Sequence, residues 1–297
     1  MTRTLVDHGY TDIHCHGGGG FYFSDSNVGN ISRVIEIHRE HGTTNLLASL
    51  VTAPIPDLLQ QIKRLLPFYH RGEIAGIHLE GPYLAHRRCG AHDPALLREP
   101  RIKEIEELVD AAEGAMTMFT IAPELPGALD AIRYISENHI IAAIGHSDGS
   151  YEDAKAGLDA GATVVTHFSN GMSKLRDGDH TFATAVIDDP RATLELIVDG
   201  HHLPLEEVKE LFDRAGKRII LITDAMSAAG QGDGSYRIGG LDVEVRNGVA
   251  RLTSNGSLAG STLTMDKARA ITESAGVSHE EVDYSSATLP LALLKRL

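Results

Sequence analysis

The chain has 297 residues, 42% of them hydrophobic and 23% charged, which is enough apolar material for a sizeable core and excludes a disordered tail or a fibre. Asp plus Glu number 41 against 27 Lys plus Arg, a formal charge of −14 that repels phosphate backbones and anionic lipid head groups, so neither a nucleic-acid nor a membrane partner is expected. No run approaches the ~20 apolar residues of a membrane span, and the first twenty residues carry Asp and His where a signal peptide needs an unbroken apolar stretch; a cytoplasmic location is expected.

Short, continuous apolar runs recur along the chain at residues 11–16, 45–52, 74–80, 116–123, 140–146, 162–167, 193–199 and 218–224. Their lack of alternation predicts parallel strands covered on both faces. Segments of helical period follow at 31–41, 55–69, 102–113, 127–138, 151–160, 182–188, 205–215 and 261–275. Eight strand–helix units predict an α/β fold, a (β/α)8 TIM-like barrel, because a doubly wound sheet opens with a GxGxxG turn that Gly17 to Gly20 does not supply. One stretch, SYRIGGLDVEVRNGVARLT at 235–253, has period two and two glycine turns; it predicts a hairpin or small sheet, with strands at 237–245 and 248–253. The expected organisation is 1–230 for the eight barrel strands, 231–256 for the β insertion and 257–297 for the C-terminal helical part of the barrel.

The predicted strands end in polar residues: His14 and His16, then Glu80, His146, His167, Asp199 and Asp224. In a barrel these ends share one mouth, and imidazole and carboxylate donors gathered there suit a divalent cation such as Zn2+ or Fe2+. A single His or Asp at a strand end is more often hydrogen-bonded or capping a helix; the coincidence over several strands favours a metal site. His38, His41, His70, His86, His139 and His279 fall on predicted helices or turns and are expected at the surface. Cys15 and Cys89 lack CxxC spacing, so sulfur is not expected to hold the metal; Cys15 points away from the His14/His16 face into packing, whereas Cys89 sits in a long polar segment as a reachable thiol.

The pieces TDIHCHGGGG, GIHLEGPYL, GAHDP, IGHSD, THFSNGM, DGHHL, ITDAMSAAG and LAGSTLTMDKA occur in an order that resembles the N-acetylglucosamine-6-phosphate deacetylases of the amidohydrolase superfamily, from about residue 11 to residue 290. The resemblance implies a barrel of the metal-dependent amidohydrolase type. It implies Glu80, His146 and His167 as metal ligands and His14 and His16 as ligands of a second ion. The cation is expected to be Zn2+, with Fe2+, Co2+ and Mn2+ as alternatives. Asp224 is implied as catalytic acid/base and His92 as the group that polarises the acetyl carbonyl. Sugar contacts are implied for Ala91, Asn170, Gly171, His202, Leu258, Ala259 and Gly260. The substrate class is a small amino-sugar phosphate, with N-acetylgalactosamine 6-phosphate or a cyclic amide as alternatives. Against a cyclic amide stands the missing bridging lysine in FTIAPEL, and the rival from another class is a non-catalytic sugar-phosphate binder.

Two features depart from the family. Its Arg-Glu-Pro segment, whose Arg binds the sugar phosphate, is replaced by SKLRDGDHTFATAV, which leaves Arg176 or His180 as substitutes. Of the small β-sandwich that members build from both chain ends and the insertion after strand eight, only a truncated element at 235–253 is expected. Its open edges would seek cover, and a homodimer is expected on that ground.

Overall fold

The computed structural model describes residues 4–297. Its centre is a sheet of eight parallel strands, each paired with its neighbour in sequence: β1 (Tyr10–Asp12), β2 (Thr43–Val51), β3 (Gly76–Glu80), β4 (Met116–Ile121), β5 (Ile141–Ile144), β6 (Val164–Val165), β7 (Thr193–Leu196) and β8 (Ile219–Leu221). The sheet closes just past the named strands, where Asp224 N–H donates to the His14 carbonyl and both His16 N–H and Gly17 N–H donate to the Ala225 carbonyl, each at 2.9 Å. Between the strands run α1 (Val28–Glu40), α2 (Ile55–His70), α3 (Ile102–Ala111), α4 (Ala128–Glu137), α5 (Tyr151–Asp159), α6 (Phe182–Ile187) and α7 (Leu205–Ala215), and α8 (Met265–Ser274) follows β8. This is the barrel that the apolar runs predict, and β3 through β6 are buried at every position, as strands walled by helices must be. Among the described residues no helix is long and apolar enough to cross a membrane.

The stretch at 235–253 forms three antiparallel strands rather than two: β9 (Gly234–Ile238), β10 (Leu241–Arg246) and β11 (Val249–Leu252). Gly239 and Gly240 both have positive φ, at 51° and 91°, and so turn the chain back in the middle of the expected strand at 237–245. Alternation along β10 and β11 points Val243, Val245, Ala250 and Leu252 inward, onto Met226, Ala228 and Ala259. The sheet thus rests its apolar face on segments next to β8 instead of leaving it open.

His38 corrects the expectation of a surface histidine. It is fully buried, because α1 turns Ile31, Val34, Ile35 and His38 to the barrel at the spacing of one helical stripe. Its Nε2 lies 2.9 Å from the Gly17 carbonyl and 3.1 Å from Cys15 Sγ, and burial lowers its pKa to about 4. His70, His86, His139 and His279 are exposed and His41 is half-buried. Cys15 is buried in the core and Cys89 half-exposed.

The barrel seam is clasped by Asp12. Its carboxylate accepts the Thr223 hydroxyl at 2.6 Å, the Thr223 N–H at 3.3 Å and the His14 N–H at 3.2 Å. Asp12→Ala leaves these donors buried without an acceptor, at a cost of roughly 1–3 kcal/mol for each group so stranded. The expected result is a melting temperature several degrees below wild type, read by calorimetry, with Asp12→Asn losing less.

Candidate metal centre

The histidines and carboxylates expected at the site stand, His92 apart, at or just beyond the C-terminal ends of strands. His14 and His16 follow β1, Glu80 ends β3, His146 follows β5, His167 follows β6 and Asp224 follows β8, while His92 comes from the long segment after β3. Alternation puts His14 and His16 on one side and Cys15 on the other. Three of these positions, His146, His167 and Asp224, have positive φ, at 47°, 28° and 47°. Such backbone costs of order 1–3 kcal/mol per residue and persists where the surroundings over-determine it.

Glu80 is the hub. Its Oε1 lies 2.9 Å from His167 Nε2 and 3.1 Å from His146 Nε2, and its Oε2 lies 3.1 Å from His16 Nε2 and 3.3 Å from His92 Nε2. His14 Nε2 and His16 Nε2 are 3.1 Å apart, and Asp224 Oδ1 lies 3.6 Å and 3.3 Å from them. His14, His16 and Asp224 form one cluster of potential ligands, and Glu80, His92 and His146 another.

The ring orientations show what this cluster is built to hold. The other nitrogen of each of four histidines faces an acceptor: His14 Nδ1 donates to Glu195 Oε2 at 3.0 Å, His16 Nδ1 to the Ser49 carbonyl at 3.3 Å, His146 Nδ1 to the Arg88 carbonyl at 2.6 Å and His167 Nδ1 to the Asn170 carbonyl at 3.2 Å. With the proton on Nδ1, all four Nε2 lone pairs converge on one another and on a carboxylate, an arrangement that calls for a cation. The electrostatics agree. Burial opposes charge on His14, yet the carboxylates of Glu80, Glu195 and Asp224 raise it above the ordinary imidazole range, and the same conflict raises His16 and His146. Burial would push Glu80 and Asp224 up, but the surrounding histidines hold Glu80 well below the usual carboxylate range and Asp224 at about 2.

His92 stands apart. Its Nδ1 accepts the Thr52 backbone N–H at 3.3 Å and meets the Thr52 hydroxyl at 2.8 Å. A backbone N–H can only donate, so the ring proton sits on Nε2, the nitrogen turned towards Glu80. Burial lowers His92 to about 4, which keeps the ring neutral.

A cavity of about 280 Å3 opens onto the cluster, and Ala91, Asn170, Gly171, His202, Leu258 and Gly260 line it together with His16, Glu80, His92, His146, His167 and Asp224. Gly171 and Gly260 have positive φ and pack closely; a Cβ would lie 3.2 Å from His146 Nδ1 at the first and 2.9 Å from the Asp224 carbonyl at the second. Three expected residues do not line it. Ala259 is fully buried in the apolar cluster beneath β9 to β11, and His14 lies wholly below the cavity floor. Asp199 is turned to its own loop: its carboxylate takes the His201 and His202 N–H groups at 2.8 Å each and His202 Nδ1 at 2.7 Å, so it orients His202.

Sequence reasoning passed over three supporting residues. Glu195, inside β7, accepts from both His14 and His167 N–H. His78, inside β3, bonds Ser49 Oγ at 3.0 Å and Thr120 Oγ1 at 2.9 Å and packs edge-on against His14. Thr52 fixes His92. For Glu195 and His78 the available signal is a titratable residue in mid-strand, where the barrel permits one only with a partner; Thr52 carries no such signal.

The sequence pattern of the amidohydrolase family matches residues 8–278. The chain is 36% identical, over 96% of its own length and 77% of the relative's, to an N-acetylgalactosamine-6-phosphate deacetylase of Escherichia coli O157:H7. It is 37% identical, over 86% of its length and 65% of the relative's, to an N-acetylglucosamine-6-phosphate deacetylase of Vibrio furnissii. The chain therefore spans between 65% and 77% of the length of these two relatives. Among solved structures it superposes on N-acetyl-D-glucosamine-6-phosphate deacetylase from Mycobacterium smegmatis with a TM-score of 0.93 and 41% identity, covering 97% of this chain and 78% of that one. The corresponding enzyme of Thermotoga maritima gives 0.88 and 29%, covering 99% and 82%. The chain belongs to the amidohydrolase family, a metal-dependent family, in the branch that holds the N-acetylglucosamine-6-phosphate deacetylases.

Proposed function

We propose that this chain hydrolyses the acetamide of N-acetyl-D-glucosamine 6-phosphate, taking up one water and releasing D-glucosamine 6-phosphate and acetate. The observation that carries the reading is the convergence of four Nδ1-anchored histidines on Glu80 at the floor of a cavity that Asp224 and His92 also face. The similarity to deacetylases over most of the chain supports it.

Glu80, His146 and His167 would hold a first divalent cation, and His14 and His16, with Asp224, would hold a second; the nitrogen and oxygen donors favour Zn2+, with Fe2+, Co2+ and Mn2+ as alternatives. A cation bound there acidifies water and polarises the substrate carbonyl. The rest falls to the protein. Asp224, ionised at neutral pH, takes the proton of the attacking water and returns it to the departing amine, which is too basic to leave as an anion. His92 offers its Nε2–H to the acetyl oxygen as negative charge develops, with Thr52 holding that tautomer in place; such a donor is worth roughly 2.7 to 4 kcal/mol in comparable sites. The glycines and small residues at the rim let backbone groups meet the sugar closely.

The galactosamine epimer is the second reading, favoured by the relative from Escherichia coli O157:H7, and acetate release from the two 6-phosphates side by side decides between them. Because a phosphorylated sugar does not cross a membrane unaided, we place the reaction in the cytoplasm. A homodimer stays our proposal for the assembled protein, resting on the outer edge of β9, which no strand pairs among the described residues, whereas the edge of β11 is covered by residues 257–259.

Two outcomes are expected. The purified protein carries at least one equivalent of divalent metal by elemental analysis, and His146→Ala or His167→Ala empties the Glu80 site; full metal in either variant would contradict the ligand set. Asp224→Asn keeps the shape but removes the proton acceptor, so kcat falls by about 100-fold or more while product still binds, as calorimetry with glucosamine 6-phosphate will read.

A further inference from the structure

A phosphate dianion approaching a protein of net charge −14 needs fixed positive charge where it comes to rest. The two residues that the sequence offers for this task are not at the cavity. Arg176 lies in a separate groove with Lys174, Glu207 and Glu210. His180 is exposed, stacks on Tyr151 at 4.1 Å between centroids and bonds Glu152 at 2.7 Å. Among the described residues, the Lys and Arg side chains that line the cavity are those of Arg87 and Arg88.

Both stand on the single turn His86–Arg88 after β3, and both reach the same acid: Arg88 Nε lies 2.9 Å from Asp148 Oδ1 and Arg87 Nη1 3.4 Å from Asp148 Oδ2. One carboxylate faces two guanidiniums, so the trio keeps one positive charge. The side chain of Arg87 is 85% exposed and that of Arg88 38%, open to a ligand in the cavity mouth. The turn does not float, because the Arg88 carbonyl accepts His146 Nδ1 at 2.6 Å and Ala85 N–H donates to the His146 carbonyl at 2.9 Å. These bonds fix the two arginines relative to the residue that orients the metal centre. A guanidinium presents a planar fork of donors that matches two phosphate oxygens at once.

We propose that Arg87 and Arg88 are the anion-reading arm of the cavity, selecting a phosphate monoester over the unphosphorylated sugar. Asp148 holds the two guanidiniums at the mouth until the phosphate competes for them. The proposal rests on the deacetylase reading and adds to it the groups that recognise the substrate's charge.

The test uses full-length, metal-loaded protein with Arg87→Ala, Arg88→Ala, the double variant and the double Lys variant, each checked for wild-type metal content. The ratio of kcat/KM for N-acetylglucosamine 6-phosphate to that for N-acetylglucosamine is expected to fall about ten- to hundred-fold in the double Ala variant, mainly through KM, with partial recovery in the Lys variant. An unchanged ratio overturns the proposal, as does a comparable fall in Arg176→Ala. Calorimetry with glucosamine 6-phosphate keeps the question separate from catalysis: affinity weakened about tenfold or more in the double Ala variant supports the arm, and unchanged affinity overturns it. A wild-type protein that releases acetate from neither sugar would refute the deacetylase reading, and the calorimetric result would still decide the role of the arginines.

Discussion

The structure depends on one electrostatic constraint: four imidazole rings, anchored through Nδ1, turn their Nε2 atoms towards one another and the Glu80 carboxylate. Lone pairs about 3 Å apart repel unless positive charge lies between them, so the rings must be held there by the rest of the molecule. The anchors come from distant parts of the chain. Glu195 in β7 serves β1 and the segment after β6, Ser49 in β2 serves His16, and Arg88 beyond β3 serves His146. Closing the barrel at Asp12 and Thr223 brings these parts together, and the left-handed backbone at His146, His167 and Asp224 aims the side chains into one cavity.

Most of the architecture can be read in the chain because burial of parallel strands on both faces leaves continuous apolar runs; six of the eight runs contain their barrel strand whole, and the first two overlap theirs, which start one and two residues earlier. The polar strand ends were equally legible, since a barrel gathers them at one mouth whatever their distance in sequence. What escaped were residues whose partners are remote. His38 completes the stripe with Ile31, Val34 and Ile35, so its burial depends on what the helix packs against, and Glu195 and His78 are polar residues inside buried strands whose partners lie far off in sequence. Arg176 illustrates the same limit: its neighbourhood in sequence suggested the substrate, but its neighbourhood in space is a groove with Glu207 and Glu210.

Chemistry and recognition come from different parts of this fold. The clustered histidines and carboxylates sit at or near strand ends braced by buried bonds, whereas the rim comes from the segments after β3, β6, β7 and β8 and from the small sheet, where glycines permit close approach. Arg88 links the two, with its carbonyl on a ring that faces Glu80 and its side chain at the mouth. On the proposed role of the two arginines, a change in that turn alters substrate choice while the barrel beneath it stays the same.

Whether the cluster around Glu80 is the catalytic centre is decided by a metal titration with acetate release as readout. Chelated wild-type protein titrated with Zn2+ should regain acetate release from N-acetylglucosamine 6-phosphate as the site fills, whereas Glu80→Gln should release none at any Zn2+ concentration. Undiminished acetate release by Glu80→Gln, or by the chelated wild type before any metal is added, would place the catalytic centre elsewhere.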